Sequence, residues 1–121
     1  VLELAIQIHP DHFPISMIYA ETLNSLGRFD EAEKLLTDLT RSRPNDTIVW
    51  FELAETAGLA GNISGVHLAR AKFFELMGAW HRSIQHLEYA QNLLEAEEKI
   101  KAEKIDQQIL DLRKRIQVAN S

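Results

Sequence analysis

A 34-residue spacing recurs along the sequence and leaves few folds open to it. Pro10 and Pro44, Gly27 and Gly61, Ala20 and Ala54, and Leu2 and Leu36 each lie 34 residues apart. Gly78 follows Gly61 after half that distance, 17 residues. Gly27, Gly61 and Gly78 are each followed two positions later by a large apolar side chain: Phe29, Ile63 and Trp80. A fixed period of this length marks one supersecondary unit copied along the chain, each copy needing its neighbour to cover its apolar face. Between the markers apolar residues step by three and four, the helical spacing, and no run alternates as a strand would. The expected fold is all-α, a solenoid of about seven antiparallel helices near 1–9, 14–26, 30–42, 47–60, 65–77, 81–94 and 97–118.

Thirty-four residues is the length of the tetratricopeptide helix–turn–helix, and the residues between the markers fit its pattern. Trp50, Leu53, Ala54 and Ala57 stand at the first-helix positions of one unit, and Ser16, Tyr19, Ala20 and Leu23 at those of the unit before. Ala32 and Leu36 supply the second helix, and Pro44 closes the unit. The chain, 1–121, then reads as a single array: the end of a repeat at 1–12, repeats at 13–46 and 47–78, an overlapping degenerate repeat at 64–94, and a capping helix at 97–118. Arg70 falls where the pattern calls for leucine; between Ala69 and Ala71 it is expected to be partly buried and held by an ion pair or a carbonyl. Pro14 suits a first helical turn, Asp30 with Glu33 reads as a capping box, and Asn45, Asp46 and Thr47 read as a stop and a new start. In the last helix Ala102, Ile105, Ile109, Leu112 and Ile116 form one apolar stripe, with Asp111 and Arg115 spaced as an ion pair. That stripe is expected to cover the last repeat rather than to zip against a second copy.

Composition removes several functions. Eighteen acidic against thirteen basic side chains give a net charge of −5, the wrong sign for a module that grips nucleic-acid phosphates. Without cysteine there is no disulfide framework, thiolate chemistry or Cys-ligated zinc. Apolar runs such as Ile48–Phe51 are far shorter than the roughly 20 residues of a membrane span. Opening at Val1 with no signal-peptide pattern, the sequence reads as a piece of a longer protein. It holds no His-Glu-x-x-His, no glycine-rich phosphate loop and no Gly-x-Ser-x-Gly elbow. His9, His12, His67, His81 and His86 do not pair at one-turn spacing and read as surface or seam residues, while Trp50, Phe73, Phe74 and Trp80 read as core. No catalytic, cofactor-binding or metal-binding residue is assigned, and the chain is not expected to be an enzyme.

What remains is a surface. Across the 47–60 helix from the Trp50, Leu53 and Ala54 seam lie Phe51 and Glu55; thirty-four residues earlier the same slots hold Met17 and Glu21. In the 65–77 helix they hold Leu68 and Lys72. Met17, Glu21, Phe51, Glu55, Leu68 and Lys72 are therefore the candidate lining of a partner-binding groove, suited to a protein or peptide segment of apolar and basic character. The alternative is that Met17 and Phe51 simply pack against the inner face of the following helix.

A more specific pattern runs from Gly61 to Leu94 and on into the last helix. It consists of Gly61, Asn62, His67, Ala69, Arg70, Ala71, Phe73 and Gly78, then Ile84, Leu87 and Ala90, then Ile105, Ile109, Leu112 and Arg113. In these residues the chain resembles the C-terminal tetratricopeptide tail of bacterial periplasmic zinc metalloproteases of the β-barrel assembly-enhancing type; Lys72 and Ser83 depart from the pattern. The resemblance implies a non-catalytic tail in outer-membrane protein quality control, with a periplasmic location. Its implied partners are the protein's own protease domain, outer-membrane clients and the barrel-assembly machinery. It places the zinc and its motif upstream of this segment, with no cofactor here. The alternative is a generic tetratricopeptide scaffold unrelated to proteolysis. On either reading the isolated chain is expected to leave casein uncut and to retain no zinc through dialysis; one tightly held equivalent by elemental analysis would overturn this.

Overall fold

The computed structural model describes residues 13–95 and 99–120. Six helices follow one another there: α1 Phe13–Ser25, α2 Phe29–Ser42, α3 Thr47–Leu59, α4 Ile63–Leu76, α5 Trp80–Leu94 and α6 Lys99–Ala119. The helix expected near 1–9, the partial repeat at 1–12, and His9 and His12 lie outside the described residues. Each helix packs on the one before it, and among the described residues there is no strand, so the all-α solenoid stands. No helix among the described residues is long and apolar enough to cross a membrane.

The glycine markers are the reversals. Gly27, Gly61 and Gly78 have φ of 75°, 79° and 78°, the left-handed region that favours glycine. Each sits in the same hydrogen-bonded turn. The glycine N–H donates three residues back, and the next N–H reaches five back: Arg28 to Leu23, Asn62 to Ala57 and Ala79 to Phe74, at 2.8–2.9 Å. Phe29, Ile63 and Trp80 then open α2, α4 and α5. The α2–α3 connection differs, since no glycine is present. Asp46 caps α3 by accepting from the Ile48 N–H at 3.0 Å, and the Trp50 indole donates to the Pro44 carbonyl at 2.8 Å.

Two sequence expectations about polar contacts are corrected. The glycine turn passes straight into Phe29, so α2 starts a residue early; Arg28 is its N-cap with no side-chain bond, and Asp30 lies inside the first turn. Glu33 instead accepts from the Asn62 side-chain amide at 2.7 Å, while Asn62 Oδ1 accepts from the Gly65 N–H at 3.0 Å and caps α4. The second correction is Arg115, which pairs with Glu75 on α4 at 3.1 Å rather than with Asp111, the acceptor for Gln107.

Two apolar clusters lie on either side of α4. Ala20, Leu36, Leu39, Val49, Leu53, Ala54 and Ala69 close one among α1–α4; Ala71, Ile84, Leu87, Ala90, Leu94, Ile105, Ile109 and Leu112 close the other among α4–α6. Ala69 and Ala71 face opposite clusters because two helical steps turn roughly 200°. Ser83 stands buried in this seam with its hydroxyl donating to the Ala71 carbonyl at 2.7 Å. The α6 stripe is thereby covered within the chain, with Ile105, Ile109 and Leu112 buried and Ile116 packed beside them. Leu112→Ala should therefore cost about 2–5 kcal/mol, whereas Arg115→Ala, at an exposed ion pair, should cost under about 1 kcal/mol. Urea melts of the two variants check the contrast; comparable midpoints would mean that α6 is not a structural cap.

Candidate functional site

On α4, His67, Arg70 and Phe74 recur at i, i+3 and i+7, the spacing that keeps side chains on one helical face. That face lies between Ala69, turned to one cluster, and Ala71, turned to the other. On α5, Arg82, His86 and Tyr89, at i, i+4 and i+7, likewise share one face. The sequence expectation for Arg70 is corrected: it is exposed and forms no ion pair with any described residue. Thirty-four residues earlier Leu36 fills the equivalent seam at 1% exposure. An arginine cannot fill that space without desolvating its charge, so it turns outward.

Beside it is a cavity of about 240 Å³ lined by Phe51, Ala54, Glu55, Arg70, Phe73, Phe74 and His86. Phe51 is 49% exposed at its mouth, with its ring centroid 5.8 Å from that of Phe73. Phe73 and Phe74 meet edge to face at 5.4 Å, and the His86 ring lies almost parallel to Phe74 at 5.4 Å. Phe73 and Phe74, expected in the core, are half-buried walls of this cavity; Trp50 and Trp80 are half-buried against the two clusters. The Arg82 guanidinium stands 5.6 Å from the Phe74 ring centre, within cation–π range.

Two histidines that the sequence keeps apart meet here. His67 Nδ1 and His86 Nδ1 are 3.0 Å apart, their rings stacked at 5.2 Å, with Tyr89 closing over His67 at 5.1 Å. One proton can lie between the two nitrogens, donated by one ring and accepted by the other. Among the described residues no grouping of three or more His, Cys, Asp or Glu could hold a metal ion.

Of the six groove residues read from sequence, Phe51 and Glu55 line the cavity. Glu21 is exposed on α1, close enough for its charge to act on Glu52. Met17 is half-buried against the α1–α4 cluster, Leu68 packs on the α4–α6 cluster, and Lys72 pairs with Glu75 at 3.7 Å beside α6. The cavity residues absent from the sequence assignment are Ala54, which was read as part of the seam, and Arg70, Phe73, Phe74 and His86. The departure from leucine at Arg70 was the available signal. Glu52, half-buried on α3, has its carboxyl pKa raised by burial and then by the charges of Glu21 and Glu55.

Comparison with known proteins agrees with this architecture. The sequence model of the tetratricopeptide repeat family matches residues 1–55. Over 81 residues the chain is 30% identical to a Vibrio cholerae serotype O1 protein named as a beta-barrel assembly-enhancing protease. The aligned part is 67% of this chain, and the match spans 17% of that protein's length. The chain is a helical solenoid of tetratricopeptide type, similar to a segment of a protease-type protein. A solenoid of this type presents surfaces rather than reacting groups, and the chain is by itself not an enzyme.

The histidine pair makes stability depend on pH. Burial lowers both imidazole pKa values below 6.5, helped at His67 by Arg70 and at His86 by His67 and then Arg70. The unfolded chain therefore takes up protons more readily than the folded one. The pair's contribution is full above about 6.5 and is lost as pH falls through the lowered values. Melting temperature should drop between pH 7.5 and pH 5 by more in the natural chain than in His86→Gln, an outcome checked by circular dichroism at both pH values.

Proposed function

We propose, from a helical solenoid of tetratricopeptide type, that the chain is a non-catalytic protein-interaction segment of a larger periplasmic zinc metalloprotease acting in outer-membrane protein quality control. The observation that carries the interaction reading is the aromatic-walled cavity between α3, α4 and α5, with Phe51 half-exposed at its mouth. Of the exposed large apolar side chains among the described residues, Phe51 is the one that lines this cavity, where a partner's apolar group would meet it. The acidic side chains Glu21, Glu52 and Glu55 beside it suit a segment with basic character. The similarity to a beta-barrel assembly-enhancing protease supports the wider setting. In that setting the partners are the protein's own protease domain, outer-membrane clients or the barrel-assembly machinery, and the zinc belongs to residues outside this segment.

Phe51→Ala should weaken partner binding by more than about 1 kcal/mol, mainly through a faster off-rate, without lowering the melting temperature much. Glu21→Lys combined with Glu55→Lys should change mainly the on-rate and its salt dependence. Surface plasmon resonance against the separately produced protease domain and against an unfolded barrel protein, beside a melting curve, tests both. A Phe51→Ala chain that melts normally and binds normally removes this groove as the binding surface. Reading the complete coding sequence tests the wider setting, which requires a His-Glu-x-x-His upstream.

A further inference from the structure

The cavity is lined by one side chain of each charge, Glu55 from α3 and Arg70 from α4, and neither forms an ion pair with a described residue. Opposite charges that share a rim without meeting leave room for something between them. The carboxylate side of the rim is reinforced by Glu52 and Glu21. The cationic side is reinforced by Arg82, held over the Phe74 ring. Between them the walls are Phe51, Phe73 and Phe74. At about 240 Å³ the space is smaller than the roughly 300–1,000 Å³ of small-molecule sites, so it suits one inserted side chain rather than a cofactor.

We propose that this cavity takes a single aromatic side chain from a partner protein's segment that carries a basic residue on one flank and an acidic residue on the other, the first paired with Glu55 and the second with Arg70. This deepens the interaction reading above and rests on it, adding that the recognised segment is charged at both ends rather than basic throughout. Arg70 is the residue that adds the requirement. Its planar guanidinium, with five donors, suits two-point pairing with a carboxylate, and it is exposed with no ion pair to a described residue. A basic segment alone would bring a second cation towards Arg70 and Arg82, which opposes it.

Fluorescence anisotropy of labelled 12-residue peptides with the full chain tests the assignment. One set carries a central Phe with Lys on one flank and Asp on the other, in both chain orders; the comparison sets carry Lys on both flanks, Asp on both flanks, or Ala in place of Phe. The better mixed-charge peptide should bind about fivefold tighter than either like-charged peptide, the scale of one rim pair. Replacing Phe by Ala should weaken it by more than about fivefold. Arg70→Glu should transfer the preference to the Lys/Lys peptide and Glu55→Lys to the Asp/Asp peptide; both positions are exposed, so far-ultraviolet circular dichroism should not change. Equal binding of all charge patterns, or an Arg70→Glu chain with unaltered preference, overturns the proposal. The Lys/Lys peptide binding tightest to the natural chain overturns it while leaving the interaction groove intact. No Phe-dependent binding of any peptide overturns both.

Discussion

Gly27, Gly61 and Gly78 reverse the chain through one backbone geometry, and the stacking of the helices depends on it. A β-carbon added at any of the three would meet nothing within 4 Å, so the constraint is the positive φ itself and not crowding. For an ordinary L-residue that conformation costs about 1–2 kcal/mol. Because the hydrogen bonds are the same in all three turns, α1 enters α2, α3 enters α4 and α4 enters α5 with one common turn. Apolar stripes at helical spacing can then meet in register.

Packing distributes the core unevenly around α4. Its buried residues are Val66, Ala69 and Ala71, two of them alanines facing different clusters, so neighbouring helices approach its backbone closely from both sides. Such a helix has little apolar surface to spare for a third side. There the chain places His67, Arg70, Phe73 and Phe74, none of them buried. An open aromatic face follows from a small-residue helix wedged between two cores, and Arg70, Phe73 and Phe74 on it line the cavity.

Electrostatics divides that face. Carboxylates from α1 and α3 gather on one side, where Glu21 and Glu55 hold the Glu52 carboxyl pKa up after burial has already raised it. Guanidinium groups from α4 and α5 lie on the other, beside imidazoles whose pKa values are lowered by burial, then by Arg70 at His67 and by His67 and Arg70 at His86. Acidic and basic side chains therefore stand on opposite sides of an apolar centre. Lys72, which would have added to the cationic side, is drawn instead towards Glu75, which also accepts from Arg115 of α6.

The sequence by itself determined the helices, their reversals and the stripe on α6, since these rest on local rules: glycine for a positive φ, Asp46 for a cap, and a step of three or four for one face. It also made Phe51 and Glu55 visible, because their helix keeps the repeat's register. Only the tertiary structure decided where α4 turns its faces. Repeat spacing extended to Leu68 and Lys72 assumes that every helix sits in the same rotation, but Ala69 and Ala71 rather than a leucine at position 70 fix the rotation of α4. His67 and His86, 19 residues apart, likewise meet only once two helices are laid side by side. Contacts between helices depend on how deeply each side chain lets its neighbour approach, and that depth is a property of the packed pair rather than of either segment.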